Sequence, residues 1–369
     1  MKLYLILTSI ICIIMVIFPL CCVSLGKTLS FDSKSPTNIT EENSSETADN
    51  TVSVFMISAD KTVDMSVYDY LVGAVAAEMP ASFHEEALKA QAVACYSYML
   101  WLKENADNPN YDITSDSSKH QGCLSDEEMK EKWGNKYESY KKKIEDAVSA
   151  VYGEYLTYNS EVILALFHAI SPGKTQNSDE VWESPLPYIK SKSAPGDTLS
   201  PDFDSETTVT CDVIRDIFDI GDDVKDSELI DIFAMSDTAH IKAIPVADKT
   251  LSAREIASSL GLRSPYFTAQ YKESSYIFKV KGYGHGLGMS QYSADYMARQ
   301  GSSYKEILMH FYADTELAVA GGSAKAPKVL SVSAKHSRAE FYSATSAAIL
   351  PLPLFFYLTF QLNCCKIFT

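Results

Sequence analysis

Four of the sixteen glycines in this chain fall within seven residues, at the alternate positions Gly282, Gly284, Gly286 and Gly288. Alternating glycines that follow a strand-like run, here Ser275–Val280, leave backbone N–H and C=O groups open to very close approach. The full segment is Gly282-Tyr283-Gly284-His285-Gly286-Leu287-Gly288-Met289-Ser290-Gln291. It is not a nucleotide loop: the spacing is not G-x-G-x-x-G, no Lys-Ser/Thr follows, and no βαβ pattern surrounds it. Two readings stay open, a ligand-binding backbone and a tight turn around a structural His285.

The other informative position is Glu78. Tyr68 to Glu78 reads as a short apolar helix that must stop at Met79-Pro80, because proline disfavours helical geometry in the residue before it. A carboxylate at the C-terminal end of a helix faces the negative pole of the macrodipole, and Val75, Ala76, Ala77, Met79 and Pro80 surround this one with apolar groups. Both effects raise a carboxyl pKa towards neutrality, as a general acid requires. An exposed helix-end glutamate with no task fits the local sequence equally.

Ser82-Phe83-His84-Glu85 has the form of a capping box, so a second helix is expected from Phe83 to about Lys103, with an inner stripe of Ala87, Ala90, Ala94, Tyr98 and Trp101. A third helix is expected over Asp126–Val151, and further helices over Leu251–Leu260, Ser290–Arg299 and Tyr304–Tyr312. Strands are expected within Thr51–Val67 and over Glu154–Asn159, Val162–His168 and Ser275–Val280. Helices and strands mix without βαβ regularity or an internal repeat, so the fold class is α+β: one extracytoplasmic domain of mixed helices and small antiparallel sheets behind an N-terminal transmembrane helix.

That last element rests on Leu3 to Leu25, 23 residues without a charged side chain, enough to cross a hydrocarbon core of about 30 Å. Residues 1–26 therefore read as a membrane anchor, the alternative being a cleaved signal peptide, whose apolar centre is shorter and followed by small residues. Lys2 is the one charged side chain before the run, which places the N-terminus in the cytoplasm and the body outside. Residues 27–52 form a flexible acidic linker, with five carboxylates and one Lys among residues 31–50. Residues 53–320 are the folded body, and 321–369 an irregular tail of no assigned role. Against 32 Lys and Arg stand 48 Asp and Glu, a net charge of −16, which argues against a nucleic-acid partner.

Of eight cysteines, only Cys95, Cys123 and Cys211 lie in the body, at unrelated spacings, which reads as free thiols. His120 and Cys123 have the spacing of half a zinc site, but no second pair completes the four ligands of a closed tetrahedral site, so no metal or other cofactor is expected. Phe167-His168 ends a strand before the polar loop Ser171–Thr175, and Pro187-Tyr188-Ile189-Lys190 offers an aromatic ring and a cation, or a plain surface turn.

Three blocks together resemble the stage II sporulation protein D (SpoIID) family, membrane-anchored lytic transglycosylases of engulfment in endospore-forming bacteria. The first is Tyr70-Leu71-Val72-Gly73-Ala74-Val75-Ala76-Ala77-Glu78-Met79-Pro80, continuing through Glu86–Ala92. The second is Phe167-His168, Gly173-Lys174-Thr175, Val181-Trp182 and Pro187-Tyr188. The third is Gly282–Gly286 and Gly288–Tyr292, continuing to Ile307-Leu308 and Phe311-Tyr312. The resemblance implies that Glu78 is the catalytic acid and that Tyr188 and Lys190 line the substrate cleft, together with Lys89, Gln91, His168, Tyr283, His285, Ser290 and Gln291 from the same blocks. The sequence departs from the pattern at Tyr96, where many members carry Arg, at Ala169-Ile170-Ser171-Pro172, where a Ser/Gly-rich loop is usual, and near residues 112–124, where some members bind zinc and only His120 and Cys123 remain.

The implied reaction needs one carboxyl group. Glu78 protonates the bond between N-acetylmuramic acid and N-acetylglucosamine, then takes the proton of the C6 hydroxyl, which closes a 1,6-anhydro ring. Peptidoglycan glycan strands stripped of stem peptides are the implied substrate, with a second cell-wall hydrolase (amidase or endopeptidase) and a membrane scaffold as partners. Two other classes remain: a non-catalytic glycan-binding enhancer of a cell-wall amidase, as some relatives are, and a zinc hydrolase built on His120, Cys123 and His168.

Overall fold

The computed structural model describes residues 50–105, 108–182, 184–231 and 244–320. The expected anchor, most of the linker and the tail lie outside the described residues. Among the described residues no helix is long and apolar enough to cross a membrane.

The described chain opens with the hairpin β1 (Thr51–Met56) and β2 (Lys61–Ser66), paired from Thr51↔Ser66 to Met56↔Lys61. Val52, Val54 and Met56 alternate inward. Ser66 ends β2 and caps α1 (Val67–Glu78), its hydroxyl accepting from the Asp69 N–H at 3.0 Å. The helix stops at Met79, which is extended (φ −123°, ψ 137°) as the residue before a proline should be.

The next helix, α2, runs Glu85–Asn105, and the expected capping box does not form. Tertiary contacts hold residues 82–84 out of the helix: the His84 N–H donates to Asp295 Oδ1 at 2.6 Å, and the Ser82 carbonyl accepts from Arg299 Nη2 at 3.3 Å. His84 caps instead, its Nδ1 accepting from the Glu86 N–H at 3.3 Å. Every residue of α2 from Ala90 to Met99 is buried, a wider face than the single stripe expected, while Trp101 is half-buried. A helix apolar on most sides is a core helix.

Beyond β3 (Ile113–Thr114), the expected long third helix is two: α3 (Asp126–Trp133) and α4 (Tyr137–Ala150). Gly134, at φ +50°, breaks them. Then come β4 (Glu154–Tyr158), β5 (Glu161–Val162), β6 (Phe167–His168), β7 (Asp204–Thr210), α5 (Cys211–Phe218), β8 (Ile244–Val246), β9 (Lys249–Leu251) and α6 (Ala253–Ser259). The described chain ends with β10 (Phe267–Lys272), β11 (Ser275–Lys281), β12 (Met289–Ser290), α7 (Gln291–Arg299), α8 (Tyr304–Phe311) and β13 (Glu316–Val319).

The class is α+β, as the sequence indicates, with five small sheets among the described residues. Not all are antiparallel: β3 lies parallel to β1, and β12 parallel to β6. Apolar side chains gather in two cores. The larger surrounds α2, against which α1, α4, α7, α8 and β4 pack. The smaller lies between the sheet β10-β11-β7 and helices α5 and α6, around Ile214, Ile256, Tyr276 and Phe278.

The glycine-rich segment crosses from one core to the other, leaving Val280 in the smaller and delivering Leu287 and Met289 to the larger. Its polar backbone is consumed on the way. The N–H groups of Gly282, Tyr283, Gly284 and Met289 donate to the carbonyls of Phe203, Ile170, Arg263 and Leu166. A Cβ at Gly288 would lie 1.9 Å from the Leu166 carbonyl oxygen, and the residue sits at φ +70°. At these positions the close approach permitted by glycine is made by the protein's own backbone, the second of the two sequence readings.

Gly261 provides a control, since it has φ +66° but no neighbour within 4 Å of a Cβ. Gly261→Ala should cost only the left-handed backbone penalty of about 1–2 kcal/mol, a few degrees in Tm. Gly288→Ala should lower Tm at least twice as far or abolish cooperative melting. Equal shifts in differential scanning calorimetry would mean that the crossing is not tightly packed.

Candidate active site around Glu78

Glu78 is the last residue of α1 and is half-buried. What covers it is the segment 120–124, laid along the helix. The Leu124 N–H donates to the Gly73 carbonyl at 3.0 Å, and the Gln121 side chain donates to the Tyr70 hydroxyl and, at 3.2 Å, to the Cys95 carbonyl. Between them the Gly122 N–H donates to Glu78 Oε1. Two glycines permit this approach. A Cβ at Gly73 would lie 2.7 Å from both Cys123 Sγ and the Leu124 oxygen; one at Gly122 would lie 2.9 Å from Ala77 Cβ and 3.2 Å from Glu78 Oε1.

The carboxyl group is thus held by one oxygen. Oε2 has no hydrogen-bond partner among the described residues, yet it is not a sealed interior atom. Burial pushes the Glu78 pKa up to about 7, against the opposing pulls of the Gly122 N–H and the Lys132 ammonium. Lys132 also closes the helix end, its Nζ donating to the Ala76 carbonyl at 3.0 Å. Desolvation is the largest cause, and no second carboxylate acts on the group among the described residues.

His120 and Cys123 share that covering segment but serve it structurally. His120 Nδ1 accepts from the Thr114 N–H at 3.0 Å, and burial lowers its pKa to about 4. The Cys123 thiol points at the Tyr70 carbonyl, 3.9 Å away, and burial pushes it up to about 12. Among the described residues no group of three or more His, Cys, Asp or Glu side chains is placed to hold a metal ion, so these two do not complete the four ligands of a closed zinc site.

The remaining expected site residues fall in several places. Gln91, Ser290 and Gln291 are buried. Gln291 Nε2 donates to Gln91 Oε1 at 3.3 Å, and Gln91 Nε2 donates to Cys95 Sγ at 3.3 Å, which ties α7 to α2. The Ser290 hydroxyl donates to Asp197 Oδ1 at 2.6 Å. Tyr188 is buried too, its hydroxyl accepting from the Leu164 N–H at 3.0 Å and its ring 5.7 Å from that of Tyr158. Lys190 is exposed and 3.5 Å from Asp314. Lys89 pairs with Glu86 at 2.6 Å and lines a cleft of about 430 Å³ between α2 and α4, of which Glu78 is not a lining residue. The Tyr283 ring lies under the Arg263 guanidinium, 5.2 Å from its centroid. His168 and His285 face each other with ring centroids 5.8 Å apart. Tyr96, on the central helix, is buried edge-on against Tyr155.

Nothing in the sequence marks Gly122, which holds Glu78, and only the nearby serines point to Asp197. Asp197 is fully buried and accepts from the Ser171 N–H and hydroxyl and from the hydroxyls of Ser290 and Ser293, at 2.6–2.8 Å. The run of serines around the glycine segment and in the second block was the available signal.

A family model described as "Stage II sporulation protein" matches residues 58–158, which span α1, Glu78, α2 and the covering segment. The chain is 33% identical over 273 residues to Stage II sporulation protein D of Bacillus subtilis (strain 168), covering 73% of this chain and 79% of that protein. Its counterpart from Bacillus amyloliquefaciens matches with the same identity and coverage. An amidase enhancer of Bacillus subtilis (strain 168) is 26% identical over 300 residues, 67% of this chain and 40% of that protein. The chain belongs to the stage II sporulation protein D family.

A raised carboxyl pKa has a sign in stability. Between pH about 4.5 and 7 folded Glu78 keeps a proton that the unfolded chain has lost, so its contribution to stability falls as pH rises through that window. Glu78→Gln removes the ionisation and keeps an acceptor for Gly122. Its Tm relative to the parent should therefore rise from pH 5 to pH 8; a constant difference across that range would mean that Glu78 is not desolvated.

Proposed function

We propose that this chain is a membrane-anchored lytic transglycosylase that cuts the N-acetylmuramic acid–N-acetylglucosamine β-1,4 bond of peptidoglycan and acts in wall remodelling and engulfment during sporulation. The observation that carries the reading is a single half-buried carboxyl group with a pKa near 7, one oxygen held by Gly122 and the other open. Ordinary glycosidases work with two carboxyl groups, one of them an acid and the other a nucleophile or base. A transglycosylase needs one, because the substrate supplies the nucleophile. Protonated Oε2 of Glu78 donates to the glycosidic oxygen as the C1–O bond breaks. The resulting carboxylate then takes the proton of the muramic acid C6 hydroxyl while that oxygen bonds to C1. The 1,6-anhydro ring forms, no water enters, and Glu78 ends protonated again.

Location follows from the sequence. The 23-residue uncharged run would cross the membrane once, and a linker of about 25 residues reaches roughly 25–30 Å, which confines cutting to wall close to the membrane. A second cell-wall hydrolase and a membrane scaffold fit as partners on family grounds. A second reading, a glycan-binding enhancer of a cell-wall amidase without its own catalysis, is favoured by the 26% identity to an amidase enhancer.

Digestion of purified, peptide-stripped glycan strands followed by mass spectrometry separates these. The parent protein should release anhydromuramyl ends, and Glu78→Gln should lose about 10²–10⁴ or more of that rate while still binding glycan. Products heavier by one water would make the protein a hydrolase, and no products at all would favour the enhancer. Because the acid must be protonated, kcat/KM should fall about tenfold per pH unit above about 7. A profile flat to pH 9 would exclude Glu78 as the acid.

A further inference from the structure

A second polar cluster lies against the glycine segment at His285 and Gly286. Its centre is Arg254 of α6. Arg254 Nη2 donates to the His285 carbonyl at 3.0 Å and to Gln176 Oε1 at 3.2 Å. Both acceptors are neutral, and both are fixed: Gln176 is buried and its N–H donates to the Gly286 carbonyl at 2.8 Å. No carboxylate pairs with Arg254 among the described residues, although burial disfavours its charge. Nη1 and Nε carry three of the five guanidinium donors, and none has a protein partner among the described residues. A half-buried guanidinium anchored by one nitrogen, with its other edge unpartnered among the described residues, is arranged to meet a planar anion bidentately.

Two neighbours complete the cluster. His168 is 4% exposed, and its Nδ1 lies 3.0 Å from the Leu287 carbonyl, which makes Nδ1 the protonated nitrogen. That leaves Nε2 an acceptor sealed from solvent, with no donor among the described residues. Tyr266 closes another side. Its ring lies over Gly286, where a Cβ would sit 3.0 Å from the phenol oxygen, and its phenol feels the Arg254 charge. The Glu180 carboxylate also acts on Tyr266, but its two oxygens accept from the Asn177 backbone and side chain.

We propose that Arg254, Gln176 and Tyr266 form a carboxylate-binding subsite, backed by His168, that receives the free lactyl carboxylate of a muramic acid residue. The assignment rests on the glycan-cutting reading above. Along a peptidoglycan strand the lactyl group is the one carboxylate of the bare sugar chain, and it is uncharged wherever a stem peptide is attached through it. N-acetylglucosamine oligomers share the β-1,4 backbone and carry no carboxylate at all. Arg254 would therefore read the muramic acid and its unsubstituted state, whereas Glu78 acts on the bond.

The test is equilibrium binding by isothermal titration calorimetry, in the Glu78→Gln background so that nothing is cut. Three probes are compared: peptide-stripped glycan strands, the same strands with the lactyl carboxylates amidated, and N-acetylglucosamine oligomers. Amidation should weaken binding about 10- to 100-fold, as loss of a charge-assisted pair does, in a measurement that needs no further variant. Arg254→Gln should weaken binding of the untreated strands to the same extent and leave the other two probes unchanged. Arg254→Lys, which keeps the charge and loses the fork, should fall between. Equal binding of untreated and amidated strands overturns the subsite while the glycan reading stands. Loss of all three probes in both Arg254 variants makes Arg254 structural and overturns it too. If the Glu78→Gln parent binds no probe, the glycan reading and the subsite fall together.

Discussion

The separation between α1 and the segment 120–124 is the constraint on which the site depends. A Cβ at Gly73 would strike Cys123 Sγ and the Leu124 carbonyl, one at Gly122 would strike Ala77 Cβ, and the Leu124–Gly73 hydrogen bond holds the two segments at that distance. Because the contact is that tight, Glu78 loses most of its water and gains only one N–H in exchange. One hydrogen bond does not offset the desolvation of a carboxylate, so the proton stays on to about pH 7. Had the segment offered two or three donors, the same burial would have produced an ordinary low carboxyl pKa. The chemistry assigned to Glu78 therefore depends on the scarcity of donors around it as much as on its burial.

Elsewhere the fold takes the opposite course with a buried carboxylate. Asp197 has four donors, from Ser171, Ser290 and Ser293, and joins the second and third sequence blocks through them. A fully hydrogen-bonded buried polar group is costly to disrupt and fixes the geometry of whatever it connects. Here it connects the loop after β6, the turn at Asp197 and the start of α7. The network holds Ser290, just past the glycine segment, while backbone bonds between Tyr283 and Ile170 and between Gln176 and Gly286 hold the segment itself.

Much of this was readable in the sequence, for identifiable reasons. Helix α1 and its end were legible because Pro80 leaves the residue before it no helical option. The raised pKa of Glu78 has the expected direction, but its cause is the covering segment 120–124, which the neighbouring residues do not reveal. The start of α2 was not, because Asp295 and Arg299, more than 200 positions away, hold residues 82–84 in place of a local cap. Polar residues in the family-like blocks invite a reading as ligand contacts, yet Gln91, Ser290 and Gln291 bond to other protein groups in the interior. Sequence type does not distinguish a polar side chain that faces a cleft from one that ties two helices. Gly122 carried no signal at all, since its value lies in what a Cβ there would strike. Arg254 was invisible because its significance is the lack of an acidic partner in space among the described residues.

The central claim is that Glu78 keeps its proton near neutral pH because the 120–124 segment dries it. Titration of the Glu78 side-chain carboxyl by ¹³C NMR, with assignment from Glu78→Gln and with Gly122→Ala measured alongside, addresses that claim directly. The account predicts a midpoint near 7 in the parent protein and a fall towards the ordinary glutamate value of about 4.5 in Gly122→Ala, where the intruding methyl group lifts the segment and admits water. A parent midpoint near 4.5 would contradict it.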